Sequence, residues 1–416
     1  MKEQTNLSRR RLLASTGGAM ALVGLSGVAR AQTAKVGGSA AAAPAAAAPA
    51  AAKPLPAYAN WKDVNSIIVH SANTIETKRS AFGSSVITPT DRLFVRNNVS
   101  PPSADILKDP EGWKLEVSGV AKPRTFTLAE LKTLGLTALP MVLQCSGNGR
   151  GYFPSKPSGT PWTVGAAGCV IFTGVPVSAV LEAVGGMADG MVYMTSTGGE
   201  EIPAGIDPKT VMVERSVPLS AMKDAILAWE INGQPLPLAH GGPLRIIVPG
   251  YTGVNSVKYI KSLAFTKDQT LANIQKSGYR FTTEETKDKE ASTLPSVWEM
   301  PPKSWINFPA DPGQPVKAGR VQIQGVAMGG MSAAKTVEVS VDGGKSWQQA
   351  QFVGPDLGKY AWREFVFSAE LKPGSYQLAS RTSNQSGQSQ PEERVENKHG
   401  YLNNSWRDHM VTVSVA

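Results

Sequence analysis

The sequence predicts an α+β domain followed by an antiparallel β-sandwich of immunoglobulin-like shape. Over residues 58–287, short apolar strand-like runs mix with a few short helices, without the strand–helix–strand rhythm of a parallel sheet and without a G-x-G-x-x-G turn. Over 316–416, strands alternate with turns, and the Cys…Trp…Cys spacing of a true immunoglobulin domain is missing. A charged and then proline-rich stretch at 284–302 separates the two, so the chain divides into a domain at 57–295 and a sandwich at 296–416.

The first residues carry an address. Ser8-Arg9-Arg10-Arg11-Leu12-Leu13 is a twin-arginine pattern, an apolar stretch follows over 12–28, and Ala29-Arg30-Ala31 is an A-x-A cleavage site. Together they predict an export signal over 1–31, a mature chain starting near Gln32 and a periplasmic location. The apolar stretch contains Gly and Ser and is short for a membrane span, so no span is expected in the mature form. Residues 32–56 are Ala- and Pro-rich and read as a linker.

Further along, the helix expected at 128–134 opens at Thr127. A second, at 177–184, places Val177, Val180, Leu181 and Val184 on one face. An apolar strand at 244–248 is closed by Pro249-Gly250. In the sandwich, Thr336-Val337-Glu338-Val339-Ser340-Val341 alternates and then turns at Asp342-Gly343-Gly344; further strands are expected at 362–367, 376–380 and 410–415.

The formal net charge is +9; Lys2, Arg9, Arg10, Arg11 and Arg30 against Glu3 put +4 of it in the export signal, leaving about +5 on the mature chain. That is mildly basic, without the basic block that nucleic-acid binding would require. The chain has two cysteines, Cys145 and Cys169, so no disulfide framework holds it together. Cys145 follows the apolar run Leu139-Pro140-Met141-Val142-Leu143 in Gln144-Cys145-Ser146-Gly147-Asn148-Gly149-Arg150. A lone thiolate is a soft ligand for a heavy metal, and glycines allow a bulky ligand close to the backbone. The competing reading is a small buried core residue. Cys169, in Gly168-Cys169-Val170-Ile171-Phe172, reads as core.

Cys145-Ser146-Gly147-Asn148 resembles the molybdenum-ligand loop of the sulfite oxidase family. The likeness extends, in the family's order, through Phe94-Val95-Arg96-Asn97, Thr173-Gly174-Val175-Pro176-Val177, Asn232-Gly233-Gln234-Pro235-Leu236-Pro237, His240-Gly241-Gly242-Pro243-Leu244-Arg245 and Pro249-Gly250-Tyr251-Thr252-Gly253-Val254-Asn255-Ser256-Val257-Lys258. It covers residue 57 to the C-terminus. The resemblance implies a sulfite-oxidase-type molybdopterin domain followed by a dimerisation domain. The cofactor would be molybdenum in one pyranopterin dithiolene, with Cys145 as the protein's metal ligand. Arg96, Arg150 and Arg407 would be the substrate-pocket arginines, with Asp408 also close to the position of the third. Tyr279 would be the pocket tyrosine. Phe94, Arg96, Asn97, Asn98, His240, Arg245, Ser256, Val257 and Lys258 would bind the pterin and its phosphate, with Asp207 a further candidate for the pterin edge. Asn98 departs from the family, which commonly has His there, so a titrating group is missing at that point.

The implied function is oxidation of sulfite to sulfate, with electrons passed one at a time to an external c-type cytochrome. There is no C-x-x-C-H for a covalent haem in this chain. The expected assembly is a homodimer or a heterodimer with the cytochrome, exported by the twin-arginine machinery. Two other readings fit the same residues: a related molybdenum subunit acting on sulfane sulfur or sulfoxides, and a non-enzymatic exported binding protein.

Overall fold

The computed structural model describes residues 53–83, 85–311 and 313–416. The export signal and nearly all of the linker lie outside the described residues. Three β-sheets build the first domain. A small antiparallel sheet joins Ile67–Ser71, Thr74–Thr77 and Val95–Arg96. A five-stranded sheet runs in the order Gln234–Pro235, Ile226–Ile231, Ala167–Pro176, Thr137–Gln144, with Arg245–Ile247 also paired to Ile226–Ile231. A second five-stranded sheet runs Arg124–Thr127, Lys114–Ser118, Ser262–Thr266, Tyr193–Thr197, Glu214–Pro218. Its pairing of Ser262–Thr266 with Lys114–Ser118 is parallel; the other ladders in these three sheets are antiparallel.

The two expected helices are present and short. Leu128–Lys132 begins at Thr127, whose hydroxyl accepts from the Glu130 N–H while the Glu130 carboxylate accepts from the Thr127 N–H, a reciprocal cap. Val177–Ala183 buries Val177 and Val180 in the main core, with Leu115, Val117, Leu227, Ile246 and Leu263. With so little helix, it is sheet faces that enclose the core, which is the α+β arrangement expected.

The second domain packs two four-stranded antiparallel sheets. One is Lys303–Phe308, Gly319–Met328, Arg363–Leu371 and Gln351–Val353; the other is Gln348–Gln349, Ala334–Ser340, Gly374–Asn384 and Val411–Val415. Val337 and Val339 face inward with Ile323, Phe365, Leu378 and Val413, as the alternation requires. Lys303–Phe308 was not among the expected strands: its run Lys-Ser-Trp-Ile-Asn-Phe lacks clean alternation, because five of its six residues are buried on both faces.

The two domains share a core. Phe82 and Val142 of the first pack with Met300, Trp305, Val326 and Trp362 of the second. The Trp305 and Trp362 rings meet edge to face at 5.7 Å, and the Trp362 indole N–H donates to the Val86 carbonyl at 2.7 Å. Cys169 lies in this shared core, fully buried, and burial pushes its thiol up to about 12. It is a packing residue, as its apolar run indicated.

Candidate active site

The strand Thr137–Gln144 becomes buried over Met141–Gln144 and delivers Cys145 to a cleft with about 680 Å³ of empty space, mouth included. Hydrogen bonds hold the loop that follows. The Cys145 N–H donates to the Ala166 carbonyl at 2.9 Å and the Asn148 N–H to the Cys145 carbonyl at 3.0 Å. The Asn148 side chain ties back to Gln144 Oε1 at 2.9 Å and accepts from the Ala166 N–H at 3.2 Å.

Around the cleft stand Phe94, Arg96, Asn97, Asn98, His240, Arg245, Ser256, Val257, Lys258 and Tyr279 together with Cys145. Distant segments bring them together. Arg96 ends a two-residue strand pinned to Thr74–Thr77. Its nearness to Tyr279, then to Cys145 and Tyr401, holds the guanidinium in its charged form against the cost of burial. Asn98 Oδ1 lies 3.4 Å from both terminal nitrogens of Arg96, and its amide donates to the Val211 carbonyl at 2.7 Å. Lys258 Nζ donates to Asn97 Oδ1 at 2.7 Å and to the Ala239 carbonyl at 2.6 Å. Arg245 donates to the carbonyls of Ser256 (2.9 Å) and His240 (3.1 Å). The Ser256 hydroxyl accepts from the Val248 N–H at 3.1 Å.

The electrostatics are lopsided. Burial drives the Lys258 ammonium well below its usual range, and Arg245 and Arg96 push the same way. Burial lowers Arg245 to about 10 and, behind the cleft wall, Lys62 to about 7; Lys62 Nζ sits 3.2 Å from His240 Nε2. His240 is held well below its usual range by burial and by these cations. Among the described residues, Glu200 is the cleft's one carboxyl group; burial raises it to about 7, and its Oε2 has no partner among them. Buried cations without counter-charges are costly. An anionic occupant would favour the charged forms of Lys258 and Lys62.

Three expectations need correction. Arg407 lies outside the cleft: it is half exposed and ion-paired to Glu392 and, at 3.0 Å, to Glu393, so its charge is satisfied on the surface. Asp207 is also outside. It is exposed and caps the short helix Pro208–Val211, accepting from the Lys209 N–H at 3.0 Å. Arg150 is buried beside the loop but does not line the cleft. It donates through Nε to the His399 carbonyl (2.7 Å) and through Nη1 to the Thr160 carbonyl (3.1 Å), with its guanidinium 5.4 Å from the Tyr401 ring centre. Four residues at or behind the cleft were not anticipated: Lys62, Glu200, Arg215 and Tyr401. Arg215 is fully buried, lies 5.6 Å from the Tyr279 ring centre and is lowered to about 9 by burial. A charged residue in the middle of the strand Glu214–Pro218 was the available signal for it. Tyr401 stands in the same segment as Arg407.

Among the described residues, no group of three or more His, Cys, Asp or Glu could hold a bare metal ion. The cleft offers a single sulfur. A metal would have to come with most of its ligands supplied by an anionic organic group, and the cleft's size and cations suit that arrangement. The comparisons agree. Residues 101–273 match the oxidoreductase molybdopterin binding domain, and residues 295–415 the Mo-co oxidoreductase dimerisation domain. The mitochondrial sulfite oxidase of Macaca fascicularis is 30% identical over 349 residues, covering 79% of this chain and 62% of that protein. The chain belongs to the sulfite oxidase family. It spans about 62% of the length of the first mammalian sulfite oxidases it matches. The nitrate reductase [NAD(P)H] of Hordeum vulgare is 32% identical over 349 residues, covering 77% of this chain and 38% of that protein. Among solved structures, the sulfane dehydrogenase SoxCD of Paracoccus pantotrophus shares the fold, with TM-score 0.67 and 24% identity over 82% of this chain and 87% of that one. As a member of the sulfite oxidase family, the protein has a cleft whose donors fit a molybdenum–pterin group: Cys145 would hold the metal, and His240, Arg245, Ser256 and Lys258 would face the anionic pterin tail.

Proposed function

We propose that the protein is a periplasmic sulfite dehydrogenase, oxidising sulfite and water to sulfate, two protons and two electrons. A molybdenum–pterin group, when bound, would supply the two-electron oxygen-transfer chemistry; the chain supplies everything else. Cys145 would hold the metal in the cleft. Arg96 would bind the oxyanion through its forked donors, and the Tyr279 hydroxyl would give a further hydrogen bond. The electrons would leave one at a time to an external c-type cytochrome. The observation that carries this reading is the convergence of one thiol, one arginine and one tyrosine on a cleft that His240, Arg245 and Lys258 also line. Export through the twin-arginine route would carry the chain out already folded around its cofactor.

The second reading, a subunit acting on sulfane sulfur, draws support from one feature. With Arg150 and Arg407 outside the cleft, the opening is less cationic than a pocket of three arginines, which suits a less highly charged substrate. The test is molybdenum analysis combined with cytochrome c reduction driven by sulfite, by carrier-bound sulfane sulfur and by a sulfoxide. Activity on sulfane sulfur without activity on sulfite would replace the first reading with the second.

A further inference from the structure

The loop that carries Cys145 is held from the sandwich domain at three of its carbonyls. The Leu402 N–H donates to the Ser146 carbonyl at 2.8 Å, Lys303 Nζ to the Asn148 carbonyl at 3.1 Å, and Asn403 Nδ2 to the Gly149 carbonyl at 3.0 Å. The loop reciprocates once, through Arg150 Nε to the His399 carbonyl. Lys303 and Asn403 are almost fully enclosed, at 1% and 2% exposure. Burying a lysine is expensive, and burial lowers Lys303 to about 7. Asn403 is itself fixed, donating to Asp408 Oδ2 at 2.8 Å and accepting from the Ser405 N–H at 3.1 Å. The approach is close enough to dictate sequence. Gly149 has φ +94°, and a Cβ there would lie 3.1 Å from Asn403 Cβ and 3.2 Å from His409 Nε2.

We propose that the sandwich domain has a second role beside dimerisation: through Lys303 and Asn403 it positions the metal-binding cysteine by fixing the carbonyls that follow it. Three donors on three carbonyls leave the loop no freedom to swing Cys145 out of the cleft. The donors come from two places in the sandwich domain, the start of its first strand and its final segment, so the loop is set only when the two domains are docked. Lys303 and Asn403 act through the loop and are positioning residues; neither lines the cleft. This goes beyond the proposed reaction, because it concerns the thiol and not the substrate.

The test uses the full chain, purified both with cofactor and from cells unable to make it. In the cofactor-free chain, iodoacetamide alkylation of Cys145 is followed by mass spectrometry, with the enclosed Cys169 as internal reference. Lys303→Met and Asn403→Ala should each speed Cys145 alkylation about tenfold, the opening expected when a buried hydrogen bond is removed, while Cys169 stays unreactive. Asn404→Ala is the control, since its side chain donates to the Pro302 carbonyl and not to the loop; it should match the wild type. In the loaded protein, the same two variants should shift the thiolate-to-metal absorption band. Wild-type alkylation rates and an unshifted band in both variants would overturn the proposal. So would equal exposure of Cys145 and Cys169, or an Asn404→Ala effect as large as the others, since either would mean general loosening. Absence of sulfite oxidation would defeat the proposed function and leave these measurements intact.

Discussion

The Tyr279 and Tyr401 rings are stacked, with centroids 5.2 Å apart and planes 9° from parallel. Tyr279 belongs to the first domain and Tyr401 to the final segment of the sandwich domain. Arg215 lies against the first ring and Arg150 against the second. The cleft tyrosine is thus held in place by a residue from the other domain. Tyr401→Ala should lower kcat/KM for sulfite about tenfold, in line with an aromatic pair worth roughly 0.5–1.5 kcal/mol. Tyr401→Phe keeps the stack and should stay within about twofold of wild type, because only the ring is needed. Steady-state kinetics of the two variants decide it: equal losses would mean the hydroxyl matters and the stacking account is wrong.

Cys145→Ser should fold normally and purify without molybdenum, because a hydroxyl is a poor ligand for a soft metal. Cys169→Ser should keep its metal and lose about 1–3 kcal/mol of stability, the cost of burying an unpaired hydroxyl. Elemental analysis and denaturant melts separate the two; metal retention in Cys145→Ser would remove the assigned ligand.

Arg96→Met should raise the sulfite KM by the equivalent of about 1.5–3 kcal/mol, the worth of a hydrogen bond to a charged group. It should also weaken competitive inhibition by sulfate. Arg407→Met, a change at a surface ion pair, should leave both within about 0.5 kcal/mol of wild type. A large KM effect at Arg407 with none at Arg96 would reverse their places.

Glu200 gives a pH signature in the cofactor-free chain. Burial raises its folded pKa to about 7 from the ordinary 4.5. Between these values the folded chain keeps a proton that the unfolded chain has released, so stability falls as pH rises from about 4.5 to about 7. Glu200→Gln should flatten that fall, and the difference between the two melting curves should grow across that window and level off above it. Parallel curves from pH 4.5 to 7 would show that the carboxyl is not held neutral.

Asn98→His should place a titrating group beside Arg96, with a reference pKa near 6.5. The pH dependence of kcat/KM between about 5 and 8 should then gain or shift an ionisation. Superimposable profiles for wild type and variant would show that position 98 is not coupled to the reaction.

What could be read in advance follows the range of the forces involved. The reciprocal cap at Thr127 and the apolar face of Val177–Ala183 depend on residues a few positions apart, and both helices formed where expected. Cys145, His240 and Arg245 stand in glycine- and proline-rich blocks whose local order marks a site. Lys62 and Glu200 carry no such mark. A lysine beside an exposed tryptophan and a glutamate in a polar loop read as solvated until distant strands enclose them. The segment around 400 meets the first domain, but it has no helical or strand period to say which side chains turn inward. Tyr401 and Asn403 do, while Arg407 turns out to the glutamates.

The bond from Asn403 to Gly149 spans 254 residues, and it fixes an order of events during synthesis. When the ribosome releases Cys145, the residues that will hold its loop are still unmade. The Gly149 carbonyl therefore lacks its Asn403 partner until that residue has emerged and folded back. A cofactor inserted before that moment meets an unfinished loop, and one inserted afterwards must enter through the mouth of the finished cleft. A chain ended just before Asn403 would keep every cleft side chain and lose one of the three bonds that hold the Cys145 loop.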